Sequence, residues 1–213
     1  MGDLQSVFKN PFEFRQFMTI YNSAIKEVRT KFEILNDDLS MDYDRNPIEM
    51  IKSRIKKPES IINKLDRKGL AHDLKTIEAN IYDIAGVRVI CSFVDDIYQV
   101  ARMFVSQDDI KVVEVKDYIK NPKPNGYRSY HMIVEVPVFF ASCRRNMKVE
   151  VQLRTIAMDF WASLEHKMRY KKDIEKAEDV ALQLKECAED IASIDFKMQS
   201  INKKISKDKE QPI

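Results

Sequence analysis

The chain has 213 residues, 44% of them hydrophobic and 33% charged, which is enough to bury one full core and typical of a helix-rich protein folded in water. No apolar run approaches the roughly 20 residues that cross a bilayer, and the three cysteines are too widely spaced to pair at a metal, so we expect a cytoplasmic protein with reduced thiols. The formal net charge of +2 hides a local imbalance, because eight basic and three acidic residues lie between Lys52 and Lys75.

The predicted elements begin with a long helix at residues 12–35, where apolar side chains form one stripe. The polar stretch 36–46 predicts a turn. Pro47 then predicts a second helix, which would carry Ile48, Ile51 and Ile55. Pro58 suits the first turn of a third helix, which would span residues 59–68 and end at Gly69.

The basic residues around this third helix form a candidate phosphate site. Arg54, Lys57, Lys64 and Lys68 fall near helical spacing, although Pro58 interrupts the series. A solvated helix face is the commoner reason for such a run. Here several cations point at one spot beside a helix N-terminus, which favours the binding of polyanions.

A central region alternates strands with a helix. We predict strands at residues 87–91, 110–115, 129–136 and 147–153, and a helix at 95–106. Pro137 and residues 142–146 are interpreted as the turn between the last two strands. Gly86 and Gly126, two of only four glycines, stand beside charged residues, which indicates tight backbone turns at those places.

The C-terminal third carries an apolar repeat with spacings of three and four residues. Its members are Val180, Leu184, Cys187, Ile191, Ile194, Met198, Ile201 and Ile205. Such a heptad seam indicates a long helix that packs along its own domain or pairs with another copy of the chain. We expect self-association, because the first helix carries a similar stripe and a chain of this size has little core left to cover both.

The strand at 147–153 gives the clearest chemical signal. Its alternation places Lys148, Glu150, Gln152 and Arg154 on one polar face, and an acid between bases suits a metal-bound polyphosphate. Asp83 precedes Gly86 and a second strand, so the two carboxylates could share one magnesium ion if their strands are neighbours. Alternatively, Asp83 caps the turn into its strand, and Glu150 pairs with Lys148 or Arg154.

Two aromatic residues near Gly126 are further candidates. Tyr127 lies in a loop, where its ring could stack on a base or simply pack against the domain. His131 shares a strand face with Ser129 and is either a catalytic or a structural histidine. His72 with Asp73 resembles the metal-binding pair of a phosphohydrolase, but only three histidines occur in the chain, too few for such a site.

Seven stretches, in order, resemble the RelA/SpoT homologue family, and especially its small alarmone synthetases of the RelQ type. They are residues 54–58 (RIKKP), 83–88 (DIAGVR), 91–96 (CSFVDD), 117–119 (DYI), 126–131 (GYRSYH), 150–155 (EVQLRT) and 160–171. The similarity runs from Pro47 to Lys171. It implies an α+β fold with a mixed sheet of about five strands related to nucleotidyltransferases, flanked by helices, with long N- and C-terminal helices.

The resemblance also implies a division of the chain and an activity. Residues 1–46 would form an N-terminal helix and polar linker, 47–172 the synthetase domain, and 173–213 a heptad helix for packing or oligomerisation. The activity would be transfer of the β,γ-pyrophosphate of ATP to the 3′-hydroxyl of GDP or GTP, giving ppGpp or pppGpp and AMP. We expect no alarmone hydrolase activity, because the hydrolase half of long family members is absent.

Roles for individual residues follow from the resemblance. The implied ATP-binding residues are Arg54, Lys56, Lys64, Arg67 and Arg88. The implied GDP- or GTP-binding residues are Tyr127, Lys123, His131, Gln152 and Lys116. The implied catalytic residues are Glu150, Asp83 and Arg88, with Asp83 and Glu150 as ligands of Mg²⁺.

The implied partners are the two nucleotides, further copies of the chain in a homotetramer, and single-stranded RNA or pppGpp as regulators. Asp159 stands where close relatives have asparagine, which argues against activation by pppGpp. Two alternative functions remain at this point: a toxic relative that pyrophosphorylates the 3′ end of tRNA, and an RNA-binding regulator without catalysis. Intact Asp83 and Glu150 argue against the second.

Overall fold

A single mixed sheet organises the chain. The computed structural model describes residues 11–42, 45–169 and 177–209. Its elements are α1 (Pro11–Asp42), β1 (Ile48–Ile55), α2 (Pro58–Lys68), α3 (Leu74–Asn80), β2 (Ala85–Cys91), α4 (Val94–Val105), β3 (Lys111–Asp117), β4 (Tyr130–Phe139), β5 (Arg144–Thr155), α5 (Ile156–Arg169) and α6 (Ala177–Lys209). Tyr170 and Lys171, and the boundary predicted after residue 172, lie outside the described residues.

The sheet has the strand order β1-β2-β5-β4-β3. Strands β2 and β5 are parallel, and the other three neighbouring pairs are antiparallel. The predicted α+β fold with a mixed sheet of about five strands and long terminal helices is therefore confirmed. The parallel pair lies in the middle, so the residues on β2 and β5 stand next to each other at the centre of the sheet.

One face of the sheet is the core. Val87, Val151 and Met132 lie in register on β2, β5 and β4, and all three are buried. Helices α1 and α4 pack on these strands and on each other, where the rings of Phe32 and Phe104 stack with centroids 4.2 Å apart. Each large side chain buried in this way contributes roughly 1.5–3 kcal/mol to folding. The opposite face is left for polar side chains.

The helix predicted after Pro47 is wrong, since Ile48–Ile55 forms strand β1. The register with β2 shifts between Ile48 and Met50, which marks a β-bulge. A bulge adds one residue and reverses the alternation of side chains beyond it. Ile48, Ile51 and Ile55 therefore reach the core with spacings of three and four, the spacing of a helix, although the backbone is extended.

Two other boundaries differ from the prediction. The stretch 36–42 continues helix α1, because Leu39 extends the apolar stripe and is buried. The turn predicted from Pro137 and residues 142–146 is too wide, because Pro137 lies within β4 and residues 144–146 lie within β5. Strand β3 pairs with β4 only as far as Glu135, so the proline sits where β4 has a neighbour on one side alone and its missing N–H costs no ladder bond on the other.

Helix α2 follows the prediction closely. Pro58 occupies its first turn, and Gly69 ends it in the left-handed conformation with φ 62°. Ile61, Ile62 and Leu65 bury its inner face. The basic residues consequently lie on the remaining faces, beside the end of strand β1.

Helix α6 confirms the long C-terminal helix but divides the predicted apolar seam. Leu184 and Ile191 pack around Trp161 of α5. The face turned toward the domain carries Ala188, Ala192, Asp195 and Gln199, all buried. The C-terminal residues of the apolar repeat are exposed, namely Ile194, Met198, Ile201 and Ile205. Self-association therefore stays a prediction, with an exposed apolar surface to support it.

Among residues 11–42, 45–169 and 177–209, no helix combines the length and the apolar character that crossing a membrane requires.

Candidate active site

The polar face of the sheet carries two rows of side chains that cross all five strands. Residues paired in register share a face, so the pairing alone defines the rows. The first row is Lys52, Arg88, Gln152, His131 and Lys116. The second row is Arg54, Gly86, Glu150, Ile133 and Glu114.

A cleft of about 180 Å³ opens over the β1, β2 and β5 part of these rows. Its lining residues are Lys52, Ser53, Arg54, Gly86, Val87, Arg88, Glu150 and Gln152. Gly86 lies between Arg54 and Glu150, and a Cβ there would meet the Arg54 Cγ at 3.7 Å. The missing side chain thus leaves the space between a cation and a carboxylate open, as a bound phosphate chain needs.

Asp83 stands at the entrance to β2, between two lysines. Its Oδ2 lies 3.0 Å from the Nζ of Lys56 and 2.9 Å from the Nζ of Lys64. Burial raises the pKa of Asp83, but the hydrogen bonds from the two lysines outweigh burial and hold it below the usual value. The carboxylate is therefore ionised at neutral pH and links Lys56 and Lys64, two of the residues expected to bind ATP.

The other oxygen of Asp83, Oδ1, is buried and has no hydrogen-bond partner among the described residues. An ionised oxygen in that position suits a cation as its ligand. Glu150 is close enough for the charge of Asp83 to raise its pKa. Mg²⁺ usually binds through one or two carboxylates together with substrate phosphates and water, so this pair fits Mg²⁺.

No cluster of three or more His, Cys, Asp or Glu side chains that could hold a metal occurs within the described part of the chain. A site made of protein ligands alone is therefore not built here. The phosphohydrolase-like pair His72 and Asp73 is separated by its own contacts, since His72 pairs with Asp66 and Asp73 caps α3.

Glu150 accepts one hydrogen bond, and its other oxygen faces a longer contact. The Nδ1 of His131 lies 3.6 Å from its Oε1, and the Nε2 of Gln152 donates to its Oε2 over 2.8 Å. Burial raises the pKa of Glu150, but the contacts with His131 and Gln152 together outweigh burial, so the pKa lies below the usual value. Burial lowers the pKa of His131 despite the neighbouring carboxylate. At neutral pH the pair is an ionised glutamate beside a neutral imidazole.

The alternative contacts considered for Glu150 are made elsewhere. The ammonium of Lys148 lies 3.7 Å from the centroid of the Tyr82 ring. Arg154 pairs with Asp159 at 3.0 Å. Glu150 is thus left facing the cleft.

A second group of polar and aromatic side chains, called the second pocket below, lies at the loop that joins β3 to β4. The Nζ of Lys123 lies 4.6 Å from the ring centroid of Tyr118 and 4.9 Å from that of Tyr127. The loop is anchored on α5, because the Nδ2 of Asn125 donates to an oxygen of Glu165 over 3.2 Å. Burial lowers the pKa of Lys123. A cation framed by two rings suits a nucleotide, with a base on the rings and phosphates on the ammonium.

An ion-pair network lies between the cleft and this pocket. Asp159 at the start of α5 accepts from Arg88 and Arg154, each at 3.0 Å, and contacts Lys52 at 3.3 Å. Burial raises the pKa of Asp159, but the charges of Arg88 and Arg154 outweigh burial, so it lies below the usual value. Asp159 therefore fixes a cation on each of β1, β2 and β5.

Two implied residues are peripheral. Arg67 is exposed, donates to the carbonyl of Asn63, and is not among the residues that line the cleft. Lys116 pairs with Glu114 at 2.9 Å and is half-exposed at the outer end of the first row. The other implied residues line the cleft, contact Asp83 or Glu150, or belong to the second pocket.

Three residues of the site received no role from the sequence. Lys52 was seen only as part of a basic run, and a strand instead of a helix at 48–55 would have placed it beside Arg54. Alternation placed Arg154 on the polar face with Glu150 and Gln152, but it gave Arg154 no role in binding or catalysis. Tyr118 belongs to the matching stretch 117–119, but no role followed for its ring, because only the folded loop brings it to Lys123.

Comparison with known proteins agrees with this geometry. Residues 53–175 match the family described as the region found in RelA / SpoT proteins. The chain is 45% identical over 205 residues to the GTP pyrophosphokinase YwaC of Bacillus subtilis (strain 168), and the match covers 96% of each chain.

Solved structures give the same result. The chain resembles the small alarmone synthetase 1 of Bacillus subtilis bound to its product pppGpp, with a TM-score of 0.84, 36% identity, and coverage of 90% of this chain and 97% of that one. The structure bound to AMPCPP has a TM-score of 0.77, 34% identity, and coverage of 91% and 98%. The chain therefore belongs to the RelA/SpoT family of GTP pyrophosphokinases, and within it to the small alarmone synthetases.

Proposed function

We propose that this chain synthesises ppGpp and pppGpp by transferring the β,γ-pyrophosphate of ATP to the 3′-oxygen of GDP or GTP, with release of AMP. The observation that carries the proposal is the position of Glu150. It faces a cleft lined by Arg54 and Arg88 and contacts His131 at the edge of the second pocket. An ionised carboxylate at this junction would lie between a donor and an acceptor nucleotide.

ATP would occupy the cleft. Its phosphates would accept hydrogen bonds from Lys56 and Lys64, the two lysines that contact Asp83. The guanidinium planes of Arg54 and Arg88 can stack on adenine. Asp83 and Glu150 would hold Mg²⁺, which neutralises charge on the transferred group when bound. Arg67, exposed on α2 and outside the cleft, would contribute little to the binding of ATP.

The acceptor would occupy the second pocket, with guanine on the ring of Tyr127 and its phosphates near Lys123 and Lys116. His131 and Gln152 would orient the ribose. Glu150 would accept the proton of the 3′-hydroxyl while the 3′-oxygen bonds to the β-phosphorus of ATP. The bond between the β-phosphorus and the oxygen that bridges it to the α-phosphorus breaks, and AMP leaves with that oxygen. Fixed cations around the site stabilise the charge that develops on the phosphates.

Incubation with radiolabelled ATP, Mg²⁺ and GDP or GTP tests the proposal when Glu150→Gln is compared with the parent. We expect a labelled guanosine tetra- or pentaphosphate, reduced by about 10²–10⁴-fold in the variant, the usual contribution of a general base. Glu135→Gln is the matched control, since Glu135 lies on the same sheet face of β4 outside the cleft. Equal activity of the parent and Glu150→Gln would contradict the assignment.

The comparisons give no support to the tRNA reaction or to a regulator without catalysis. Labelled tRNA in the same assay would decide the first, because label on tRNA without a guanosine product would replace the proposed acceptor.

Several partners remain proposals. The exposed side chains of α6 support assembly into a homotetramer, with residues 47–172 as the catalytic domain and the terminal helices as packing elements. The basic residues of α2 would suit single-stranded RNA as a regulator, and pppGpp is a second candidate. The substrates are cytoplasmic nucleotides, which supports a cytoplasmic location. Sedimentation of the parent and of Ile201→Glu would test the assembly, because the charged variant should dissociate.

A further inference from the structure

Arg154 occupies the buried end of the polar face and contacts four acceptors. Its side chain is only 5% exposed. One of its terminal nitrogens, Nη1, donates to Asp159 over 3.0 Å, and the other, Nη2, donates to the Tyr127 hydroxyl over 2.6 Å and to the Gln152 Oε1 over 3.1 Å. Its Nε lies 3.5 Å from the Ser129 hydroxyl. A planar guanidinium with fixed donors can satisfy such a set, whereas a lysine cannot.

The contact with Tyr127 favours one direction for the next hydrogen bond. Arginine has no acceptor, so the Tyr127 oxygen must accept from Nη2. The hydroxyl hydrogen is then free for the other neighbour of that oxygen, the Nε2 of His131, at 2.8 Å. A neutral imidazole that accepts at Nε2 carries its proton at Nδ1.

The same reasoning orients the two groups that face the oxygens of Glu150. The Nδ1–H of His131 points toward Oε1, which is 3.6 Å away. The Oε1 of Gln152 accepts from Arg154 and from the Nε of Arg88, so its amide nitrogen must face the Oε2 of Glu150. The Oε2 of Glu150 thereby accepts from Gln152, and its Oε1 faces the Nδ1 of His131, and Arg154 contacts Gln152 directly and His131 through Tyr127.

We propose that Arg154 is a positioning residue: through Tyr127 it holds His131 in the Nδ1–H tautomer, and through Gln152 it turns the amide donor, so that both oxygens of Glu150 face donors. This inference rests on the proposed role of Glu150 as the base. Asp159 supports the arrangement because it compensates the buried charge of Arg154 and fixes its plane. Arg154 itself need not touch the reacting atoms.

Nitrogen-15 NMR of the imidazole rings tests the tautomer directly. The chain has three histidines, so His131→Asn assigns the signal of His131. At a pH of about 8, above the usual histidine pKa of about 6.5, the neutral ring should carry its proton at Nδ1 in the parent. Tyr127→Phe, which removes only the hydroxyl, and Arg154→Met should both shift the ring toward Nε2–H, the form that free histidine favours.

Ser129→Ala is the matched control, because it removes a contact of Arg154 that lies outside the path to His131. It should leave the Nδ1–H signal unchanged. An Nε2–H ring in the parent would overturn the proposal. So would an Nδ1–H ring that persists in both Tyr127→Phe and Arg154→Met.

Kinetics provide the second readout. Arg154→Met should lower kcat by about 10- to 100-fold, the range usual for residues that orient a ligand or base, with little change in the KM for ATP. Arg154→Lys should recover little of the rate, since charge alone does not direct the two hydrogen bonds. Failure of the proposed base would be recognised separately, by activity in Glu150→Gln while the tautomer result stands. Parent-like kcat in Arg154→Met would overturn the positioning role.

Discussion

Gly126, in the loop that joins β3 to β4, lies against helix α6, and its replacement by alanine should be costly for two separable reasons. Its φ is 84°, in the left-handed region. A Cβ at this position would lie 2.5 Å from the Cβ of Ala188 on α6, closer than two such atoms can approach. Gly69 provides the matched comparison, because its φ is 62° and a Cβ there would meet no atom within 4 Å.

The magnitudes follow from these two geometries. Left-handed backbone costs an alanine roughly 1–2 kcal/mol, and this cost applies at both positions. Overpacking adds about 1–3 kcal/mol, and it applies only to Gly126→Ala. We therefore expect Gly126→Ala to destabilise the chain by about 2–5 kcal/mol and Gly69→Ala by about 1–2 kcal/mol. At about 2–4 °C per kcal/mol for a chain of this length, the two melting temperatures should differ by several degrees.

A double-mutant cycle separates the clash from the backbone strain. Ala188→Gly removes the opposing Cβ at a cost of about 0.5–1 kcal/mol for glycine in a helix. The next atom near a Cβ at position 126 would be the carbonyl oxygen of Lys185, at an acceptable 3.5 Å. Gly126→Ala should therefore be about 1–3 kcal/mol less harmful when Ala188→Gly is present. Additive effects of Gly126→Ala and Ala188→Gly would refute the reasoning. Equal losses of stability in Gly126→Ala and Gly69→Ala would also refute it.

Two further predictions concern pH and the acceptor. Burial raises the pKa of Asp195 above its unfolded value, so its stabilising effect is complete at low pH and is lost as the pH rises through the folded pKa. Asp195→Asn should therefore melt higher than the parent at pH 8 with a gap that closes toward pH 4, and a constant gap would contradict this. Lys123→Met should raise the KM for GDP or GTP by about tenfold or more, the effect of one charge-assisted hydrogen bond, and leave the KM for ATP unchanged. Lys120→Met, an exposed neighbour, is its control, and an equal rise for both substrates would remove Lys123 from the acceptor pocket.

The parts of the fold that local signals determine were predictable. Pro58 and Gly69 mark the two ends of α2 because a proline fits the first turn and a glycine adopts the left-handed cap without strain. The same local reasoning failed at Ile48–Ile55, where a bulge imitated the spacing of a helix. Periodicity reports which side chains face the core and not the path of the backbone between them.

The candidate site shows the same limit. Alternation predicted that Glu150 and Gln152 share a face, and the structure agrees. The approach of Asp83 to Glu150 depends on the parallel pairing of β2 with β5, which no local pattern specifies. The contact of Lys52 with Asp159 joins residues 107 positions apart, so only the completed fold reveals it.

The central parallel pair also sets the order in which this protein can acquire activity during folding. Arg88 and Gln152, neighbours on β2 and β5, are separated by 64 residues along the chain. Contacts of such long range form slowly, since the entropy of closing the loop is lost before the contact repays it. The antiparallel pairs β1–β2 and β4–β5 join nearer segments and can form first as two separate halves. The cations of β1 and β2 come next to Glu150 of β5 only when β2 pairs with β5. The catalytic surface therefore forms in the same step that completes the core.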